Sequence, residues 1–122
     1  MEDGLTMWLI DTTECFEQWL LCQDEDLRES VFNSLGILEK FGPALGRPYV
    51  DTVNDSAFTN MKELRVQHDG HPVRAFFAFD PKRHAIILCA GDKKGKNEKR
   101  FYTEMIKLAD SEYRKHLISL EK

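Results

Sequence analysis

Five cations stand within eight residues in the stretch CAGDKKGKNEKRFY, residues 89–102: Lys93, Lys94, Lys96, Lys99 and Arg100. The chain of 122 residues carries a formal net charge of −4, so this loop runs against the average. A solvated turn needs only one or two polar residues. A dense set of ammonium and guanidinium groups suits a surface that follows phosphates. Two further arginines, Arg65 in KELR and Arg74 in VRAFF, offer the planar, two-pronged geometry that matches a phosphate. The charge is unevenly spread: residues 1–41 sum to −8 and residues 42–122 to +4. The basic part of the molecule is its last two-thirds.

Other chemistries find little support. Cys15, Cys22 and Cys89 form no CxxC and no even-numbered framework, and they read as reduced structural residues, with Cys15 and Cys22 on one helix face. His68 and His71 bracket an Asp-Gly turn, where no third and fourth ligand for zinc converge, so no metal site is expected. His84 and His116 read as surface or interface residues. No GxSxG, P-loop, Rossmann fingerprint or HExxH occurs, and no cofactor is expected. The opening MEDGLTMWLI is acidic with a very short apolar stretch, unlike a secretory signal, and no apolar run approaches the roughly 18 to 20 residues that span a bilayer. A cytoplasmic protein without a membrane partner is the expectation.

The elements that must position these residues fit one domain, 1–122. Met7 to Ile10 reads as a short strand. Asp11 with Glu14 fits a capping box that opens a helix striped by Cys15, Phe16, Trp19 and Leu20. A second helix runs from about Asp24 to Phe41, with Leu27, Val31, Leu35 and Leu38 on one side, and Gly42-Pro43 stops it. Residues 42–60 read as a long loop. The period then changes to two, giving strands at 61–68, 72–79 and 84–90. A last helix runs from near Asn97 to about Leu120, with Tyr102, Met105, Ile106, Ala109, Tyr113, Leu117 and Leu120 as its apolar stripe. The expected fold is α+β: strand, helix, helix, three-stranded meander, helix, with an antiparallel sheet and the helices packed on one face.

Asp69-Gly70 between alternating segments is a two-residue hairpin signal. It pairs Leu64 with Ala75 and Val66 with Val73, and it sets Arg65 directly opposite Arg74. Leu64, Val66, Val73, Ala75, Phe77, Phe79, Ile86 and Leu88 then form the core face, with Arg65, Arg74, Phe76, Ile87 and Cys89 on the other. Like charges directly opposite are destabilising by a few tenths to about 1 kcal/mol. An anion between them would convert repulsion into two charge-assisted contacts, and removing Arg74 should relieve the repulsion. The plain alternative is that each arginine pairs with an acid such as Glu63 or Asp92.

LGRPYVDTVNDSAFTNMKELR, followed by HPVRAFFAFDPKRHAIILCAGDKKGKNEKRFYTEMIKLADSEYRKHL, resembles the RelE/ParE superfamily of toxins, and within it the HigB-like, phage Gp49-like branch. The likeness covers residues 5–118 and is most specific in KELR, VRAFFAFD and GDKxG…RFY. It implies a RelE-like fold and the toxin of a bacterial type II toxin–antitoxin pair. Such toxins are metal-independent endoribonucleases that cut mRNA on the ribosome and so inhibit translation. The implied partners are mRNA, the ribosome and a helix-turn-helix antitoxin, with operator DNA reached only through the antitoxin. The antitoxin should either occlude Lys93 to Lys96 or dock on the acidic helices. A non-catalytic RNA- or antitoxin-binding protein, or a ParE-type gyrase inhibitor, is the other reading.

By the same resemblance Arg65, Arg74, Lys93 and Tyr102 are the catalytic candidates and Arg100 matches a basic position; Lys62, Lys94, Lys96, Lys99 and Arg100 are the RNA-binding candidates. Cleavage by the ribose 2′-OH needs a proton acceptor, positive charge on the transition state and a donor for the departing 5′-oxygen. The arginines and Lys93 suit charge stabilisation. Arginine cannot act as a base, which leaves Tyr102 or a lysine of lowered pKa. Several relatives place a catalytic histidine late in the chain; this one has none there before His116, so the base stays open. Tyr102 also lies on an apolar stripe and reads equally well as a core residue.

Overall fold

Thr13 begins the helical part of the fold: its hydroxyl accepts from the amide of Phe16 at 3.0 Å. Asp11, the expected cap, instead lies in the first strand. The computed structural model describes residues 8–122, so Met7 of the expected strand falls outside the described residues. The elements are β1 (Leu9–Thr12), α1 (Glu14–Leu21), α2 (Glu25–Phe41), a 3-10 turn (Gly42–Ala44), β2 (Val50–Thr52), β3 (Met61–His68), β4 (His71–Phe79), β5 (His84–Asp92) and α3 (Glu98–Leu120). Asp24 caps α2 and Asn97 caps α3, each accepting from the amide three residues on. Gly42, at φ +56°, ends α2 in the left-handed region that a glycine tolerates.

The strands form one five-stranded sheet in the order β1-β5-β4-β3-β2. The meander is antiparallel, but β1 pairs with β5 in parallel, Leu9 opposite His84 through Thr12 opposite Ile87. An all-antiparallel sheet is therefore corrected at that edge. The expected loop at 42–60 also contains β2, three residues paired with Lys62 to Leu64. The remainder of that loop is tied to α3 by Asp110, which accepts from Ser56 Oγ and, at 2.9 Å, from the amide of Ala57.

The helices lie on both faces, not one. Phe16, Val31, Leu35 and Leu38 of α1 and α2 pack against Leu64, Val66, Val73, Ala75, Phe77 and Ile87. On the opposite face Phe101, Ile106, Ala109 and Tyr113 of α3 pack against Met61, Phe76, Ala78, Ile86, Leu88 and Cys89. The sheet has two apolar sides: Phe76, Ala78 and Cys89 supply the second, and α3 covers it.

Ile86, Leu88 and Ile87 accordingly exchange faces relative to the alternation read from sequence. Phe76 pairs with Cys89 and Phe77 with Ile87, leaving Leu88 as one extra residue in β5. This bulge turns Leu88 and Cys89 to the same side and reverses the facing of everything before them. Cys22 is exposed beyond the end of α1, Cys15 half-buried and Cys89 buried; all three are free thiols. Cys22 is thus not the buried helix-face thiol expected.

Candidate active site

Arg65 and Arg74 stand opposite each other across β3 and β4, as the two-residue turn requires. They share the face that α3 covers, at the end of the sheet where Gly91 of β5 pairs with Arg74. A Cβ on Gly91 would come within 3.0 Å of the Phe101 ring, so the bare backbone lets α3 approach beside the arginines.

The repulsion between them is answered by Glu63, two residues before Arg65 on the same face and 5% exposed. Arg65 Nη1 donates to Glu63 Oε2 at 3.2 Å, and Arg74 Nε lies 3.7 Å from Glu63 Oε1. Arg74 is the deeper of the two, its side chain 5% exposed against 27% for Arg65, and its Nη1 donates to the carbonyl of Val73. The pairing with Glu63 named above as the plain alternative is the observed one. Asp92 engages His71 instead, at 2.6 Å.

Tyr102, in the first turns of α3, donates its hydroxyl to Glu63 Oε1 at 2.7 Å. Both readings of this residue hold: its ring packs edge-on against Phe76 and Phe101, and its hydroxyl reaches the arginines' carboxylate. Burial first, then the hydrogen bond to Glu63, pushes its pKa up to about 12. At neutral pH the phenol is therefore a proton donor and not a base.

Lys93, the residue after β5, completes the group. Its Nζ lies 5.2 Å from the centre of the Tyr102 ring and donates to Glu98 Oε1 at 3.0 Å. That contact holds the Glu98 carboxyl below the ordinary range, and Arg74 and Arg65 add to the effect. Three cations, two carboxylates and a protonated phenol thus converge where β3, β4, β5 and the start of α3 meet. Arg65, Arg74, Lys93 and Tyr102 are brought together by the fold, with Glu63 at the centre.

The RNA-binding candidates divide. Lys94, Lys96, Lys99 and Arg100 are exposed on the loop and first turn of α3, and among the described residues none has a carboxylate within ion-pair distance. Lys96 extends over Phe101, 5.9 Å from the ring centre. Lys62 points to the other face of β3, its Nζ 3.5 Å from Thr52 Oγ1, and is separate from the cluster. Among the described residues no group of three or more His, Cys, Asp or Glu could hold a metal. The histidines are engaged singly: His68 with Ser30, His71 with Asp92, His84 beside Asp11 and His116 with Asp80. His116, expected at the surface or an interface, is largely covered and supplies the partner of a buried carboxylate within the chain.

Glu63 is the site residue that sequence reading did not select. An acid two positions before an arginine on one strand face was a sufficient signal of contact, but it pointed equally to a structural ion pair.

Comparison with known proteins bears on the family and the fold. Residues 18–114 match the family described as Phage derived protein Gp49-like (DUF891). The chain is similar to HigB3 of Mycobacterium tuberculosis (strain ATCC 25618 / H37Rv), with 51% identity over 94 residues, which are 77% of this chain and 80% of that protein. HigB2 of the same organism is 46% identical over 115 residues, 93% of this chain but 56% of HigB2, so the chain spans little more than half of that relative. Both relatives are named as toxins. Among solved structures, a free mutant form of the E. coli toxin RelE aligns with a TM-score of 0.59 at 9% identity, covering 83% of this chain and 99% of RelE. RelE in the RelE–RelB complex of Pyrococcus horikoshii aligns at 0.55 and 13% identity, covering 74% and 99%. At such identities the likeness is one of fold.

Proposed function

The chain belongs to the Gp49-like family and is a HigB-like toxin of the type II toxin–antitoxin kind, and we propose that it stops translation by cleaving mRNA on the ribosome. The observation that supports this reading is the hydrogen bond from Tyr102 to Glu63 inside a frame of Arg65, Arg74 and Lys93.

In the proposed reaction Glu63 accepts the proton of a ribose 2′-OH, and that oxygen attacks the adjacent phosphorus. Arg65, with Arg74 and Lys93 behind it, stabilises the charge that grows on the non-bridging oxygens. Tyr102 gives its proton to the departing 5′-oxygen, and Glu63 then returns a proton to Tyr102 along their hydrogen bond. The products are a 2′,3′-cyclic phosphate and a 5′-hydroxyl, and every proton is accounted for. Substrate entry needs Arg65 to turn from Glu63 to phosphate, which its partial exposure allows. Lys94, Lys96, Lys99 and Arg100 hold the RNA backbone.

Its partner in this reading is an antitoxin, as RelB is for RelE in two of the structures that share the fold. An antitoxin silences the toxin by covering the basic loop or by docking on the acidic helices and hindering ribosome entry.

The test is induced expression in bacteria followed by cleavage on programmed ribosomes. Growth arrest with loss of translated mRNA is expected, and cleavage by purified protein should persist in EDTA at concentrations that leave ribosomes intact. Arrest with intact mRNA and damaged DNA would replace this reading with a gyrase-directed one.

A further inference from the structure

A second cleft opens beside the arginines at the edge of the sheet, just before β2 begins. It encloses 610 Å³ and is lined by Pro48, Tyr49, Gln67, Pro72 and both Arg65 and Arg74. That volume lies within the range of roughly 300 to 1,000 Å³ usual for small-ligand sites. We infer that this cleft takes the base of the nucleotide whose phosphate sits on the arginines, with Tyr49 as its stacking platform.

The arrangement of Tyr49 favours a planar guest. Tyr49 is 46% exposed, although its backbone is fixed: its carbonyl accepts from the amide of Arg65 at 2.8 Å, and its own amide donates to the carbonyl of Gly46 at 3.0 Å. An exposed aromatic on an ordered backbone stacks a base with little loss of freedom. Pro48 and Pro72 add rigid apolar walls. The bond to Tyr49 also shows which way Arg65 turns its main chain, and by the alternation of an antiparallel strand Gln67 turns the same way. Among the described residues β2 pairs with β3 only from Lys62 to Leu64, so the peptide groups of Gln67 face the cleft edge with no strand opposite. Together with its exposed side-chain amide they offer donors and acceptors to a base edge.

Charge decides between this cleft and the larger one of 900 Å³ along α3. The larger cleft presents Asp55, Glu98 and Asp110 against Lys99 and Lys107. The cleft at Tyr49 is lined by two arginines and no carboxylate. The larger cleft also holds Tyr102 and Lys99 of the proposed reaction site, and its three carboxylates against two lysines make it the less favourable place for a further phosphate-linked base.

This inference rests on the RNA-cleaving reading, but its test does not require cleavage. The probe is a fluorescently labelled single-stranded RNA of mixed sequence with every 2′-oxygen methylated, so that it cannot be cut, alongside an abasic strand with the same phosphates. Binding is measured by anisotropy for the full chain and for Tyr49→Ala, Tyr49→Phe and Phe32→Ala. The last removes an exposed aromatic of α2 as a control. Tyr49→Ala should weaken the base-bearing probe on the order of tenfold or more, while Tyr49→Phe and Phe32→Ala bind like the parent. On the abasic strand Tyr49→Ala should match the parent. Unchanged affinity of Tyr49→Ala, an equal loss on the abasic strand, or a loss seen only with the antitoxin protein would each overturn the inference. A parent that cuts no mRNA on ribosomes would instead sink the nuclease reading, leaving the binding comparison to decide the base site.

Discussion

The phenol of Tyr102 and the carboxylate of Glu63 are joined by a 2.7 Å hydrogen bond that crosses from α3 to β3. Because the phenol's pKa is pushed up to about 12, the proton sits on the tyrosine through the whole neutral range. Tyr102→Phe keeps the ring between Phe76 and Phe101 and removes only the donor. It should lower the cleavage rate about a hundredfold or more with little change in melting temperature. Parallel single-turnover and melting measurements would check this, and a rate equal to the parent's would remove Tyr102 from the chemistry.

Burial of the phenol, together with this hydrogen bond, fixes a pH dependence. Tyr102 gains a proton-favouring environment on folding, so ionising it opposes the fold. The stabilisation is fully present below the unfolded tyrosine's pKa of about 10 and is lost as pH rises towards about 12. Tyrosinate absorbance should show one group titrating above the ordinary range in the parent and missing from Tyr102→Phe.

Arg74 and Arg65 should separate by stability. Relief of repulsion would make Arg74→Ala harmless to the fold, but Arg74 is buried against Glu63, so its loss should destabilise by about 1 to 3 kcal/mol. Arg65→Ala, more exposed, should leave the melting temperature nearly unchanged and lower the rate roughly a hundred- to a thousandfold. Arg65→Lys should recover only part, since an ammonium lacks the two-pronged contact. Chemical denaturation and ribosome cleavage of the three variants decide it; a wild-type rate for Arg65→Ala would contradict the proposed role.

Lys96 lies in the open over Phe101, outside the buried cluster. Lys96→Ala should weaken RNA binding uniformly across sequences and reduce the slope of log affinity against log salt by about 1. A change in sequence preference at constant slope would count against a phosphate contact.

Asp80 connects stability to acid. Burial acts to raise its pKa, but the His116 ring and the amides of His84 and Lys82 outweigh it, leaving the carboxyl below the ordinary range. Its contribution is fully present above the unfolded value of about 4 and disappears as pH falls through the lower folded value. Asp80→Asn should melt lower at neutral pH and show a flatter acid limb. Thermal melts from pH 2 to 7 would reveal an unchanged limb if the pair were idle.

Much of this was legible in the sequence. Asp69-Gly70 dictates a two-residue turn, and one turn fixes the whole register, including the facing arginines. Asn97 and Asp24 announced their helices because capping is local. The parallel pairing of β1 depends on where two helices return the chain, which no local pattern records. Strand β2 has three residues, too few for a period. Leu88 is an extra residue that alternation cannot see, and it inverted Ile86 and Ile87. Glu63 was legible as a neighbour of Arg65 but not as the centre of the group, because that role depends on Tyr102, 39 positions away, arriving on α3.

Helix α3 also acts as a ruler. At its far end His116 Nε2 is bonded to the buried Asp80 at 2.7 Å, and fourteen positions earlier Tyr102 meets Glu63. One end is clamped to β3 and the other to the turn between β4 and β5, so the span between them is a length counted in residues. Deleting one residue between them would shorten that span by about 1.5 Å and rotate one end by roughly 100° relative to the other. Either the anchor or the phenol would then lose its partner. Insertions and deletions along this stretch of α3 are thereby restricted even at its outward-facing positions, where a change of residue type meets no such limit.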